Sequence, residues 1–225
     1  MNFDSLLFFG FLAAVLALHG AARSARARKG VLLGSSYLFY GFWNPPFVLL
    51  LAFSTAVDWF AARGIHRRRR AGHPARWLLV ASLVTNLGLL AYFKYSGFVL
   101  ASLSDGLAAV GIVWNAPAWQ VILPVGISFY TFQSISYTID VWRGERAPAD
   151  DWLDFALYVS FFAQLVAGPI VRAGELLPQL QQRTRTVLAE VPMAAWLIVF
   201  GLFLKGVLAD SVFAPASDAA FAAGA

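Results

Sequence analysis

Long apolar runs separated by short clusters of arginine constrain this chain more than any other feature of its sequence. Of its 225 residues, 60% are hydrophobic and only 13% are charged. Soluble domains carry about 45–50% apolar and about 25% charged residues. The composition therefore excludes an ordinary soluble domain and a disordered chain. It predicts an all-α, polytopic integral membrane protein with about seven membrane-embedded helices, given about 20 residues for a full span.

The basic residues predict how these helices are oriented. They occur in three clusters between apolar runs: Arg23, Arg26, Arg28 and Lys29; Arg63, Arg67, Arg68, Arg69, Arg70 and Arg76; Arg143 and Arg146. Lysine and arginine accumulate in the cytoplasmic loops of membrane proteins. All three clusters agree with one orientation, in which the N-terminus lies outside. The net charge of +5 is thus explained by basic residues in the expected cytoplasmic loops, and nucleic-acid binding is not expected.

The apolar runs and their interruptions predict the segment boundaries. The membrane segments are expected at residues 3–18, 31–43, 47–62, 77–93, 121–141, 152–166 and 193–208. Asn44-Pro45-Pro46 predicts a tight turn, and Asp58 and Trp59 are expected to close the segment after it. Residues 63–76 are expected to form a polybasic loop, 96–120 an interfacial helix and loop, and 214–225 a tail of small residues. Gly168-Pro169 predicts a re-entrant segment rather than a simple span.

The segment from residue 123 to residue 140 is the most polar of the apolar runs. At about 3.6 residues per turn, one face carries Ser128, Thr131, Ser134 and Thr138, and another carries Tyr130, Gln133, Tyr137 and Asp140. A helix that is polar on most sides is expected at the centre of the bundle. The hydroxyl face fits either hydrogen bonding between helices or a functional site. For Gln133 and Tyr137 a substrate path is favoured, whereas Asp140 is also placed to pair with Arg143.

A second candidate lies at residues 164–172, where Gln164 precedes the Gly168-Pro169 break and Arg172 follows it. Freed backbone groups and a cation could meet an anionic ligand there. A structural kink, with Arg172 reaching for the interface, explains the pattern equally well. Lys205 and Asp210 are expected to form a local ion pair.

Familiar catalytic arrangements are missing from the sequence. The chain has no cysteine and three histidines, whose spacing matches no metal site. No metal site and no resident cofactor are therefore expected. The residue pattern by itself leaves a transporter, an enzyme or a subunit open.

Six ordered motifs narrow this choice. They are SYLFYGFW at 36–43, YFKY at 92–95, LPVGISFY at 123–130, SYTIDVWRG at 136–144, AGPIVR at 167–172 and KGVLAD at 205–210. Together they resemble the bacterial branch of the membrane-bound O-acyltransferase (MBOAT) family, most of all its alginate O-acetyltransferase membrane proteins. The resemblance runs along nearly the whole chain.

The resemblance implies a ring of helices around a thin funnel in the bacterial inner membrane. An acyl group would pass from a cytoplasmic donor such as acetyl-CoA toward a polysaccharide hydroxyl outside, with periplasmic or membrane partner proteins completing the transfer. Tyr130, Gln133, Tyr137 and Arg172 are the candidates to line this path, and Ser128, Asp140, Gln164 and Lys205 are weaker ones.

The histidine that the family uses lies in the second half of a longer chain, and no position here matches it. No catalytic residue is therefore assigned. Residues 1–225 are expected to be the N-terminal part of a single acyltransferase domain, without a soluble domain and inactive alone. A transporter or exporter component and a non-catalytic remnant are the rival hypotheses.

Overall fold

Helices account for all regular secondary structure in the part of the chain that the computed structural model describes, residues 3–112, 114, 121–165, 168, 171–181 and 188–223. The helices are α1 (Leu6–Ala21), α2 (Ala25–Gly41), α3 (Pro45–Arg70), α4 (Arg76–Ala109), α5 (Ile127–Arg143), α6 (Trp152–Ser160), α7 (Phe162–Leu165), α8 (Ala173–Gln181), α9 (Val191–Phe203) and α10 (Ala214–Ala223). A 3₁₀ turn at Leu188–Glu190 precedes α9, and a π-helical stretch at Leu204–Phe213 joins α9 to α10.

Three of these helical stretches are long and apolar enough to cross a membrane: Pro45–Arg70, Arg76–Ala109 and Val191–Ala222. Shorter apolar helices lie at Leu6–Ala21 and Trp152–Leu165. Large apolar side chains such as Leu49, Phe60 and Phe98 are at least 70% exposed on the long helices, which is the surface that lipid requires. The chain is therefore an all-helical, multi-pass membrane protein.

The connection from α2 to α3 follows the predicted turn. α2 ends at Gly41, and Pro45 and Pro46 occupy the first turn of α3. Proline is tolerated there because its missing N–H would have no intrahelical partner, and its fixed φ suits a helix start.

The predicted polybasic loop at 63–76 is wrong for most of its length, because α3 continues to Arg70 and its last turn consists of Arg67, Arg68, Arg69 and Arg70. Arginine is a good helix former, and cations are favoured beside the negative end of the helix dipole. The first arginine cluster is helical for the most part as well. Ser24 caps α2 by accepting the Ala27 N–H at 3.0 Å, so α2 begins six residues before the predicted segment.

The predicted end of the fourth segment near Lys94 is also wrong. α4 runs unbroken for 34 residues to Ala109, into the region expected to be an interfacial helix and loop. An isolated glycine costs a helix only about 1 kcal/mol, so Gly97 and Gly106 do not stop it. The helix ends where Gly111 takes φ +82° and the Ile112 N–H bonds back to the Leu107 carbonyl at 2.9 Å. Residues 113 and 115–120 of that prediction lie outside the described residues.

α5 begins six residues later than predicted, after Gly126 with φ +78°. It ends at Arg143, where Gly144 takes φ +82° and the Glu145 N–H bonds to the Asp140 carbonyl at 3.0 Å. A left-handed residue at this position is the usual helix stop.

The predicted break near Gly168 is preceded by an earlier one. α6 ends at Ser160, Phe161 takes an extended ψ of 116°, and α7 starts at Phe162. The Phe162 N–H, which has lost its helical partner, donates to the Ser36 hydroxyl oxygen of α2 at 3.1 Å. Of the predicted re-entrant segment, residues 166–167 and 169–170 lie outside the described residues. The predicted tail at 214–225 is helical through α10.

The helices divide into two compact units. Val15–Gln182 forms one unit, and Met1–Ala14 with Arg183–Ala225 forms the other. In the first unit α3, α4 and α5 pack on one another, and α2 and α6 pack together on α3. Its core includes Leu51, Ile65, Tyr137, Phe155 and Leu177, each completely buried.

An ion pair joins α2 to α6 within this unit. The Lys29 ammonium group contacts the Asp154 carboxylate, and the two side chains are 20% and 7% exposed. A buried ion pair gains little over apolar neighbours, but removal of one partner leaves an uncompensated charge.

We expect Lys29→Met to destabilise the folded protein by about 3 kcal/mol, because Asp154 would stay buried without its cation. Thermal unfolding in detergent measures the loss, and a double change of Lys29→Met with Asp154→Leu should recover most of it. Lys205→Met is the matched control, since the Lys205–Asp210 pair is exposed and such pairs contribute about 0–1 kcal/mol. Equal effects of the two single changes would contradict the prediction.

Candidate functional site

The polar helix α5 lies in the centre of its unit, as its sequence predicts. It packs against α3, α4, α6 and α8, and Tyr130, Gln133 and Tyr137 are at most 4% exposed. Phe129 and Phe132, 41% and 48% exposed, form its open side. α5 therefore presents almost all of its polar groups to other helices.

The Gln133 side chain is bonded at both of its polar atoms. Its Nε2 donates to the Tyr158 carbonyl of α6 at 2.7 Å, and its Oε1 accepts from the Gln164 Nε2 at 3.4 Å. The structure thus brings together two of the predicted site residues, from α5 and α7.

Tyr158, which sequence reasoning missed, completes this cluster. Its hydroxyl lies 3.3 Å from the Gln133 carbonyl oxygen and 3.2 Å from the Val171 carbonyl oxygen. It therefore ties the chain next to Arg172 back to the middle of α5. The sequence offered a weak signal, a tyrosine inside an otherwise apolar segment.

Tyr137 anchors the connection between α5 and α6. Its hydroxyl oxygen accepts the Ala149 N–H at 2.9 Å, and its ring centroid lies 4.5 Å from that of Phe155. The Arg146 guanidinium lies 5.6 Å from the centre of the same ring. A hydroxyl held by a backbone donor and a ring beneath a cation give Tyr137 a fixed position beside the arginine cluster.

Tyr130 lies at the other end of α5, where its hydroxyl is next to that of Tyr40. Tyr40 donates to the Val125 carbonyl at 2.9 Å and so holds the non-helical residues before α5. Two aromatic hydroxyls from α2 and α5 therefore meet at this end of the helix.

The predicted residues outside this centre take different positions. Arg172 is exposed at the start of α8, and its carbonyl accepts the Glu175 N–H at 3.0 Å. Ser128 and Asp140 are half-buried. The expected pair of Asp140 with Arg143 is wrong, because the turn at Gly144 brings Glu145 to 3.7 Å from the Arg143 guanidinium instead. Lys205 belongs to the other unit, where its predicted pair with Asp210 is confirmed.

The hydroxyl groups of α5 bond to their own helix and also lie against a neighbouring one. Ser134 donates to the Thr131 carbonyl at 3.3 Å, and Thr138 donates to the Ser134 carbonyl at 3.2 Å. Both hydroxyl groups nevertheless face another helix, because they lie beside the Asp58 carboxyl group of α3.

Asp58 is the second residue that sequence reasoning missed. It is completely buried at the middle of α3, and its Oδ1 accepts from the Ser82 hydroxyl and from the Asn86 Nδ2, the latter at 2.8 Å. The signal was an isolated carboxylate in an apolar run. It was placed at a segment end because the arginines after it were interpreted as a loop.

Arginines of α3 hold the α5–α6 connection at one end of the unit. Arg63 donates to the Asp150 carbonyl at 3.0 Å and lies over the Trp59 ring at 4.8 Å. Arg69 donates to the Trp142 carbonyl. With Lys29 bound to Asp154 in the first turn of α6, members of the first two basic clusters bind the stretch from residue 142 to residue 154, which contains the third cluster.

The sequence is similar to several curated proteins over most of its length. It is 39% identical to a protein of Pseudomonas aeruginosa named probable alginate O-acetylase, over 83% of this chain and 36% of that protein. It is 37% identical to the Azotobacter vinelandii protein of the same name, over 99% of this chain and 44% of that protein. It is 33% identical to the peptidoglycan O-acetyltransferase of Helicobacter pylori, over 90% of this chain and 42% of that protein.

The chain spans about two fifths of the length of these relatives. No protein-family model and no solved structure matches it. The similarity covers 83–99% of this chain, and the structure adds the apolar helices of a membrane protein. By its similarity to these acetyltransferases, the chain belongs to the membrane-bound O-acyltransferase family.

Proposed function

We propose that this chain is the N-terminal part of a membrane O-acetyltransferase that modifies hydroxyl groups of an extracytoplasmic polysaccharide. The observation that carries the proposal is the 37% identity to an alginate O-acetylase over 99% of the chain. Alginate is the first acceptor to test. The relative named for peptidoglycan makes a cell-wall polymer the alternative, since both polymers present hydroxyl groups outside the cytoplasmic membrane.

The proposed topology has the N-terminus outside the bacterial inner membrane and the basic clusters in the cytoplasm. The binding of the first two clusters to residues 142–154, which contain the third, supports it, because cytoplasmic cations have to lie at one end of a bundle. About seven membrane-embedded helices, one of them re-entrant near Gly168, would form a single acyltransferase domain together with the remaining part of the enzyme.

The proposed acyl path runs along α5. A donor such as acetyl-CoA would approach from the cytoplasm, and Tyr130, Gln133, Tyr137 and Arg172 would line its way. Gln133 is suited to this because its amide is fixed by Tyr158 and Gln164. Arg172 is suited to an anionic donor because it is exposed and its neighbour Val171 is tied to the same cluster.

The chemical step would belong to the part of the enzyme that this chain does not contain. A histidine there would act as the general base on the acceptor hydroxyl. The donor is a substrate, and no resident cofactor is proposed. The partners would be the lipid bilayer, the polysaccharide, and periplasmic or membrane proteins that complete the transfer.

In a full-length version, we expect Gln133→Ala to lower kcat/KM for acetyl transfer about tenfold. The loss of one buried hydrogen-bonding group costs about 1–1.5 kcal/mol. If this raises the activation free energy of acetyl transfer by the same amount, the rate falls by that factor. Initial rates with acetyl-CoA measure it. Gln179→Ala is the matched control, because Gln179 is exposed on α8 and bonds only to its own helix, at 3.0 Å. Unchanged rate and donor affinity in Gln133→Ala would contradict the path.

For Arg172→Ala we expect the KM for acetyl-CoA to rise about tenfold with kcat little changed, since the cation would bind the donor and not the reacting group. The dependence of KM on ionic strength should weaken in the variant because one screened attraction is gone. Arg70→Ala, which removes an exposed arginine at the end of α3, serves as the comparison. A fall in kcat alone would show that Arg172 acts elsewhere.

Joining this chain to the remaining part of the enzyme tests whether acetyl transfer requires both parts. We expect acetyl-CoA-dependent acetylation of polysaccharide in cells that carry this chain joined to an in-frame continuation with a membrane-embedded histidine, and none with residues 1–225 alone. The DNA after the Ala225 codon shows whether such a continuation is present. Acetylation by the short chain would contradict the proposal, and solute flux without an acyl donor would favour a transporter.

A further inference from the structure

Asp58 occupies a junction of three helices that the proposed acyl path does not use. Its carboxyl group is completely buried in α3, between Ser82 and Asn86 of α4 and the hydroxyl groups of Ser134 and Thr138 on α5. A buried carboxylate in a membrane-spanning helix is costly and marks a function. The hydrogen-bond donors and acceptors around it determine whether the neutral acid or the ionised carboxylate is the more stable form.

The donors around Asp58 can be counted. Ser82 and Asn86 both donate to Oδ1, and the second N–H of the Asn86 amide donates to the Ser82 carbonyl at 3.0 Å. Ser134 and Thr138 donate to carbonyls of their own helix at 3.3 and 3.2 Å, and their hydroxyl groups also lie beside Asp58. Among the described residues, the hydrogen bonds to the carboxyl group reach Oδ1 and leave Oδ2 without a donor.

Two buried oxygens are left over in the same junction. Neither Asp58 Oδ2 nor Asn86 Oδ1 has a hydrogen-bond donor among the described residues. A buried acceptor without a partner is destabilising, and this junction holds two of them. One proton on Oδ2 would convert that oxygen from an acceptor without a partner into a donor within the junction.

We propose that Asp58 is a proton-binding site, at which the folded protein holds the carboxyl group as a neutral acid that donates into the α3–α4–α5 junction. The ligand is a single proton. In this form α3 carries no charge at its middle, and the three helices are joined by a complete hydrogen-bond network. Ionisation would leave a charged Oδ2 without a hydrogen-bond donor in the buried junction and so weaken the contact between the three helices.

Charged neighbours do not offer an alternative to the proton. The ionisable groups on the elements packed against α3 are Arg26, Arg28, Lys29, Tyr37 and Tyr40 on α2; Arg76, Tyr92, Lys94, Tyr95 and Asp105 on α4; Tyr130, Tyr137, Asp140 and Arg143 on α5; Asp154 and Tyr158 on α6. Of these, Tyr137 couples electrostatically to Asp58. The ion pairs within the described part of the chain engage Lys29 with Asp154, Arg143 with Glu145 and Lys205 with Asp210, and Arg63 of α3 itself binds backbone carbonyls.

One control variant, at Asp154, and two variants of Asp58 test the proposal on the full chain purified in detergent. Asn at this position has the same shape, keeps an acceptor for Ser82 and Asn86, and supplies an N–H where the acid supplies O–H. Asp58→Asn should therefore unfold within about 2 °C of the wild type at pH 5, whereas Asp58→Ala should unfold roughly 5–10 °C lower because it strands buried donors. An Asp58→Asn midpoint as low as that of Asp58→Ala overturns the proposal.

The pH dependence has a definite sign. A carboxyl group that is protonated when folded and ionised when unfolded stabilises the fold at low pH and loses that contribution as pH rises. From pH 5 to pH 8 the wild-type midpoint should therefore fall relative to that of Asp58→Asn. Asp154→Asn is the control variant, because it makes the same substitution at another buried aspartate, the one that contacts Lys29 between α2 and α6. A wild-type midpoint that does not fall relative to Asp58→Asn contradicts the proposal.

Infrared difference spectroscopy provides a readout that does not depend on stability. With ¹³C-labelled aspartate, wild-type protein at neutral pH should show the carbonyl band of a protonated carboxylic acid, and Asp58→Asn should lack it. Identical spectra would overturn the proposal. So would a rise in the wild-type midpoint with sodium chloride, relative to choline chloride, that Asp58→Asn does not show, because the junction would then be a sodium site.

Discussion

The rest of the structure depends on one constraint, that polar groups at membrane depth have to find their partners inside the protein. Lipid hydrocarbon offers no hydrogen bonds, and each unsatisfied group there costs several kcal/mol. The first unit meets this constraint with side chains that reach across helices. Ser36 of α2 satisfies the N–H freed where α6 breaks, and Gln133 of α5 binds a carbonyl of α6. The helix contacts therefore follow the polar residues as closely as the apolar ones.

The same constraint explains why the arginines lie where they do. Arg63 binds the Asp150 carbonyl in the connection between α5 and α6, and Arg69 binds the Trp142 carbonyl in the last turn of α5, where carbonyls lack an intrahelical partner. A cationic donor is well suited to a carbonyl near the membrane boundary, because its long stem packs on apolar surface while its head stays polar. Arginines from which the sequence predicts the membrane orientation thus also bind the backbone at the end of α5 and in the loop after it.

Much of the fold could be predicted from the sequence, since apolar runs and arginine clusters are strong signals. The helical class, the turn before Pro45 and the buried position of α5 are of this kind. Boundaries failed where a residue suits both a loop and a helix. Arg67–Arg70 extend α3 because nothing in their local propensity stops a helix, and Lys94 lies inside α4 for the same reason. Once α3 was cut short, Asp58 was placed at its end, and the junction with Ser82 and Asn86 could not be foreseen. Long-range pairing of this kind has no local signature, and Tyr158 was missed for that reason.

The length of α4 has a consequence for the space outside the bilayer. At about 1.5 Å per residue its 34 residues measure about 51 Å, and even a tilt of about 40° leaves a projection of about 39 Å against a hydrocarbon thickness of about 30 Å. Tilting cannot hide the whole helix. Its last turns carry Ser104, whose hydroxyl bonds to the Trp114 carbonyl at 3.2 Å, and Asp105. Under the proposed orientation these turns would project beyond the extracytoplasmic surface of the inner membrane. A polymer too large to enter the helix bundle would meet the protein at that level.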